Sequence, residues 1–413
     1  MPVAIASAPP LALLVAITAV GPLALNIFMP SMPALPAEFD TDYGTVQLTL
    51  SLYLIGTALS QLIYGPLSDR YGRRPVLLVG LSLFLVGSLI GYLAQSIEAL
   101  ILGRIVQAVG GCAGLVLGRA IVRDVFDRDK SASVIAYVTS AMVIAPMIGP
   151  AIGGFLDAQA GWRSSFLLLI GIGGIVLAFA LLILRETNTQ RCADLGLISL
   201  VSSYPSLLGR PMFGLYAAQT AFGSAAFFSF LGGGPYVVVE LLGRTSQDYG
   251  LWFAMASIGY MSGNFFAGRY SERFGINRML MIGAAATLLG GLALVLVMLT
   301  HTLALPTLFG CMLIMAFGNG ITIPNGLAGA VSADPSRAGA ASGLAGFGQM
   351  GVGAGASTIT GAWLVQSSTA WPLIAMMAGS AALAVLMALT IWAASAKERA
   401  LDRGTALSRS AAE

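Results

Sequence analysis

The chain predicts an all-α membrane protein of twelve transmembrane helices, arranged as two pseudo-symmetric six-helix halves. Three observations lead there. Hydrophobic residues make up 57% of the 413 and charged residues 9%, whereas an average soluble chain carries about 25% charged residues, so polar surface is too scarce to cover a soluble globule. Apolar runs of about 20 residues, the length a helix needs to cross a hydrocarbon core, recur twelve times. Finally, a charged loop wedged between two of these runs, Gly65 to Arg74 (GPLSDRYGRR), returns in the second half as Gly268 to Arg278 (GRYSERFGINR).

The runs place the first six spans at 11–35, 46–66, 75–95, 98–120, 132–156 and 162–184. The other six fall at 212–238, 247–268, 277–298, 303–327, 339–364 and 371–395. The first follows MPVAIASAPP, which has no basic n-region and no cleavage site, so it reads as a retained span. Between the second and third, Gly65 and Gly72 let the backbone turn tightly. The fourth contains Arg104, and a guanidinium at this depth is costly unless it faces water or a partner. Arg104 is therefore expected to look into an internal cavity, a carbonyl-capping role between helices one and four being the other reading. The fifth ends in a run rich in proline and glycine, which bends a helix and lets neighbours approach closely. Trp162 and Trp371 precede the sixth and twelfth spans, where an indole anchors a helix at the headgroup level. Arg185 to Arg210 is the longest polar interval. It divides the chain into an N-terminal half (1–190), a cytoplasmic linker (191–210) and a C-terminal half (211–413) with a short tail.

Alternate loops assigned to the cytoplasm, starting with the N-terminus, hold 18 of the 21 Lys and Arg residues, against two on the other side. That asymmetry predicts both termini inside. The net charge of +3 is thus a topology signal, and no nucleic-acid partner is expected. Cys112 and Cys311 fall in spans and Cys192 in a predicted cytoplasmic loop, so neither a disulfide framework nor a metal site is expected. A membrane-embedded enzyme would need a nucleophile with a base, or metal ligands. One histidine, His301 in a loop, and spans without mid-helix carboxylates supply neither. No G-x-x-x-x-G-K-[ST] loop is present to cradle ATP phosphates, and no cofactor is expected.

The charged loop carries the most specific resemblance. Gly65, Leu67, Asp69, Arg70, Gly72, Arg73 and Arg74 match G-x-L-x-D-R-x-G-R-R, the signature between spans two and three of the major facilitator superfamily. Span four reads Arg104-Ile-Val-Gln107-Ala-Val-Gly110-Gly111, similar to that family's second motif. In span five, Pro146, Gly149, Pro150, Gly153 and Gly154 resemble the antiporter motif of its exporters. The tail Met29 to Pro36, the phrase Ala120 to Phe126 and Gly234-Pro235-Tyr236-Val237 resemble the bicyclomycin and chloramphenicol resistance branch of drug:proton antiporters. The resemblance spans roughly residues 11–396. It implies a multidrug or antibiotic efflux transporter of the bacterial inner membrane, a monomer that exchanges drug against protons by alternating access. It further implies that Asp69, Arg73 and Asp124 act together at the cytoplasmic gate.

One departure bears on coupling. That branch places an Asp in span one where this chain has Asn26, and an amide does not titrate. Coupling through cavity-edge acids, coupling through a charged substrate, and uncoupled or other-ion-coupled movement of a small metabolite, import included, all stay open at this point. Candidates to line a substrate cavity are Asn26, Tyr53, Arg104, Gln107, Tyr216, Gln219, Phe222 and Gln349. Amides, aromatics and one cation suit a small amphipathic or neutral drug-like molecule better than a phosphorylated sugar.

Overall fold

The computed structural model describes residues 9–125, 148–188, 204–334 and 338–410. The long helices are α1 Leu11–Phe28, α2 Tyr43–Tyr71, α3 Arg73–Leu93, α4 Ile97–Val125, α5 (148–160) and α6 Arg163–Ile183. The second set is α7 Pro211–Tyr236, α8 Ser246–Phe274, α9 Ile276–Leu299, α10 Leu305–Ser332, α11 Ala338–Val365 and α12 Trp371–Ser410. Cys192 and most of the linker lie outside the described residues, as does the N-terminal part of span five with Pro146.

Helices run past the apolar stretches because their polar ends project beyond hydrocarbon. α2 begins where Asp42 caps it, accepting from Thr45 N at 3.0 Å and Thr45 Oγ1 at 2.7 Å. These bonds hold the Asp42 carboxyl below the usual carboxylate range. α8 opens with a reciprocal capping box between Thr245 and Asp248. The first span is not one unbroken α-helix over 11–35. It tightens into a 3₁₀ segment at Met29–Ala34, because Pro30 and Pro33 lack the N–H groups an α ladder needs.

The two sets pack alike. Helix pairs α3·α4, α2·α4, α3·α6, α1·α4 and α1·α6 recur as α9·α10, α8·α10, α9·α12, α7·α10 and α7·α12. The crossing points recur too. A Cβ on Gly80 of α3 would stand 3.3 Å from Gly110 O of α4, and one on Gly283 of α9 would stand 2.8 Å from Gly318 O of α10. Small residues at such crossings bring backbones together where no hydrophobic force separates helix from lipid. Large apolar side chains such as Leu182 (82% exposed) and Phe265 (77%) point outward, as a lipid-facing surface requires. Between the sets, α2 packs along α11, and the 3₁₀ segment meets α7 and α8. Hereafter the terminal face is the one carrying the loop between α2 and α3.

Candidate transport cavity and gates

A half-enclosed cavity of about 340 Å³ lies between the two sets of helices. One wall comes from α1, α2 and α4, the other from α7, α8, α10 and α11. Phe227, Phe228, Phe253 and Tyr260 make its aromatic side; the Phe227 and Tyr260 rings stack with centroids 6.4 Å apart. Amides Asn26, Gln61, Asn264 and Gln349 supply donors and acceptors, and Arg119 stands in the α4 wall. Asn26 Nδ2 donates to Pro22 O at 2.8 Å, which leaves its Oδ1 without a partner. Gln349 Nε2 donates to Ser224 Oγ at 2.9 Å. An apolar pocket with a few placed polar groups is the ordinary form of a small-molecule site.

Of the residues proposed from sequence, Asn26, Tyr53 and Gln349 line this cavity and five do not. Arg104 is fully buried behind it. Its Nη1 donates to Ala24 O at 3.0 Å and to Gln107 Oε1 at 2.6 Å. Its guanidinium lies 4.2 Å from the Tyr53 ring centroid and 4.6 Å from that of Phe28. This is the carbonyl-capping arrangement rather than the cavity-facing one, because Tyr53 and Phe28 close over the guanidinium. Gln107 is spent on Arg104 and on Ser88 Oγ (2.8 Å). Tyr216 donates to Asn277 Oδ1 at 2.6 Å. Gln219 is buried with both amide atoms unpartnered, and Phe222 is half-buried; neither shares the cavity stripe of α7, Ser224, Phe227, Phe228 and Leu231. The sequence reading missed Gln61, Asn264 and Arg119. Their spacing was the available signal: Tyr53, Thr57 and Gln61 recur every four residues along α2, and Phe253, Ser257, Tyr260 and Asn264 every three or four along α8.

On the terminal face, the loop between α2 and α3 is held by a charge cluster. Arg73 pairs with Asp69 at 2.6 Å and, through Nε, with Asp124 Oδ2 of α4 at 2.9 Å. Arg74 Nη2 donates to Leu181 O at 3.0 Å, and Arg70 lies over the Tyr71 ring. Gly65 lies inside α2 with open space around it rather than at a turn, because α2 continues to Tyr71; the turn falls to Gly72 alone, at φ +103°, a region that disfavours side chains. Glu186, just past α6, packs against Gly72 and accepts from the backbone N–H groups of Arg73 (2.8 Å), Arg74 (3.3 Å), Thr187 (3.0 Å) and Asn188 (2.9 Å). Its carboxylate thus satisfies and neutralises the start of α3. Gly275 repeats the turn at φ +78° with no atom that near. We expect Glu186→Ala to loosen the loop by about 1–3 kcal/mol, read as faster limited proteolysis between residues 66 and 75, with Glu186→Gln intermediate.

The model of the Major Facilitator Superfamily matches residues 14–357, with an overlapping second match over 234–412. The chain belongs to the major facilitator superfamily. It is 30% identical to multidrug resistance protein D of Escherichia coli K12, over 86% of this chain and 89% of that one. It is 32% identical to a chloramphenicol resistance protein of Pseudomonas aeruginosa, over 85% and 83%. Among solved structures it superposes on the xylose transporter XylE from E. coli, in a partially occluded inward open conformation, with a TM-score of 0.72 at 13% identity, covering 92% of this chain and 96% of that one.

In this superfamily member the face opposite the termini is closed by contacts between the halves. Tyr43 OH donates to Gly232 O at 2.8 Å, and Gln47 Nε2 donates to the same carbonyl. Ser357 Oγ donates to Gln47 Oε1 at 3.2 Å, and Thr358 Oγ1 to Ser51 Oγ at 2.6 Å. The glycines of span five complete the seal. Gly149 and Gly153 meet α1 at Asn26 and Ile27; Gly154 meets α8 at Ser246 and Gln247, and Gly250 of α8 packs on Pro150. Successive glycines thus serve opposite partners, one within the half and one across the seam.

Proposed function

We propose that this protein is a secondary active exporter of small amphipathic or neutral drug-like molecules, working by alternating access. The observation that carries the reading is the cavity between the two halves, aromatic and amide-lined, beneath a hydrogen-bonded closure on the face opposite the termini. The resistance proteins among its relatives support the substrate class. The bias of 18 basic residues to two supports cytoplasmic termini in a bacterial inner membrane, which puts the hydrogen-bonded closure on the outer face. Asp69, Arg73 and Asp124, paired with one another on the first half, then form its side of the cytoplasmic gate, which meets the second half and shuts as residues 1–190 rock against 211–413 and the cavity opens outward. Coupling to protons is part of the proposal; Asn26 favours one rival, uncoupled transport, because no carboxyl stands among the described residues of the cavity wall to carry the proton.

Uptake of a labelled phenicol into inverted vesicles, with and without an inside-acidic gradient, tests this. We expect accumulation that collapses with the gradient. Equal uptake without the gradient would remove proton coupling, and no uptake would remove the substrate class.

A further inference from the structure

We infer that Asp157 is a proton-operated latch on the outer seam: a proton on its carboxyl favours the closed outer face, and its ionisation favours opening. The inference rests on the alternating-access reading above and deepens it with a pH-dependent step separate from any proton carried across the membrane.

Asp157 is the residue just past the apolar run of span five and belongs to α5. It stands one turn on from Gly153 and Gly154, which press α5 against Ile27 of the first half and Ser246 of the second. The stripe that makes the seam therefore ends in a carboxylate. That carboxylate is half-buried and faces the hydroxyls of Ser31 in the 3₁₀ segment and Ser246 at the start of α8. Ser31 is fully buried, and its Oγ makes no close hydrogen bond. Among the described residues no cation is set against Asp157. α1 and the 3₁₀ segment hold no ionisable residue. Asp248 already serves the N-terminus of α8 through its capping box with Thr245, Arg244 before that cap is exposed, and Arg163 at the start of α6 pairs with Glu38 at 2.8 Å. Closure thus takes water from the carboxylate and returns two hydroxyls, one loosely placed, and no counter-charge. Burial outweighs the hydrogen bonds and holds the carboxyl above the usual carboxylate range. Opening lets water back and restores an ordinary value of about 4. The closed face therefore binds the proton more tightly. By linkage its advantage is full below the open-state value and is lost as pH rises through the closed-state one. The proton comes from the outer medium and returns to it on reopening, so it paces the outer gate without crossing the membrane.

The test places spin labels on outer loops of opposite halves, at Gln95→Cys and His301→Cys, in the full-length protein with its three native cysteines replaced by Ala. His301→Cys also removes the only imidazole. Distances between the labels are recorded by pulsed electron paramagnetic resonance in lipid nanodiscs, without drug or gradient, from about pH 4.5 to about pH 8, a range that brackets a raised carboxyl. We expect the short-distance, closed population to fall relative to the open one by about three- to tenfold as pH rises, the equivalent of a shift of about half to one pH unit. Asp157→Asn should hold the acid ratio at every pH, and Asp157→Glu should keep a response. Ser246→Ala removes a hydroxyl that favours the anion, so it should enlarge the response, and it decides the matter if Asp157→Asn is too unstable to purify. A ratio flat with pH in the labelled parent, a response that survives Asp157→Asn or is unchanged in Ser246→Ala, or opening in acid overturns the inference. Failed phenicol uptake would count against export alone, because the distances need no transport.

Discussion

Replacing Arg104 by Ala is expected to destabilise the protein by about 3–5 kcal/mol and to lower phenicol uptake to background. The change leaves Ala24 O and Gln107 Oε1 without their donor, at about 1–3 kcal/mol for each buried polar atom left unpaired. It also removes the stacking on Tyr53 and Phe28, worth about 0.5–2 kcal/mol, and opens a void the size of a long side chain. Arg104→Met should behave differently. The glycine crossings align the halves: Gly87 of α3 meets Gly103 and Gln107 of α4, as Gly290 of α9 meets Cys311 and Met315 of α10. In that register Met312 stands where Arg104 does, so the second half already fills this site with methionine. Arg104→Met should recover more than half of the melting temperature lost in Arg104→Ala, and bring neutral-substrate uptake back to within several-fold of wild type. Detergent melting curves and vesicle uptake decide it. Recovered melting without recovered uptake would give Arg104 a transport role beyond support.

Arg104 also marks how far the sequence alone reached. Hydropathy and the repeated charged loop made twelve spans, two halves and the loop cluster legible, because each depends on what lies next to what along the chain. Depth could be read in the same way. Which faces the cavity takes, and which depths it reaches, could not. Arg104 falls on the stripe that continues through Gly111, Cys112, Leu115 and Arg119, so its helical face is the cavity's; it stands beyond the end of the cavity, where Phe28 and Tyr53 cover it. Gln219 and Phe222 fail for the complementary reason, sitting at a plausible depth on other faces of α7. Arg119 was counted as a topology signal near a span end and went unread as a cavity group. Asp124 and Glu186 differ instructively. The motif resemblance pointed to Asp124, whereas Glu186 acts on a loop about 110 residues away in sequence, a distance no local pattern bridges.

The closure opposite the termini yields the second large effect. Tyr43 and Gln47 place three hydrogen bonds across the seam, two converging on Gly232 O and one with Ser357. At about 0.5–1.5 kcal/mol net for each, Tyr43→Phe with Gln47→Ala should weaken the closed state by about 1.5–4.5 kcal/mol. That shifts the balance of closed and open states by about 10- to 2,000-fold. The cavity contains its own reporter. Cys112 lines the wall beneath the closure, buried and donating to Thr57 O at 3.4 Å, so a membrane-impermeant maleimide reaches it from outside only when the seam parts. With Cys192 and Cys311 replaced by Ala, right-side-out spheroplasts should label Cys112 at least tenfold faster in the double variant than in the parent. Each single variant should fall between, since either leaves a bond to Gly232 O. Unchanged labelling in a well-folded double variant would mean that the closed state is held chiefly where Gly154 and Gly250 join span five to α8. Close backbone packing would then dominate the hydrogen bonds, and Gly154→Ala, which forces a methyl against Ser246 O, would become the change that opens the outer face.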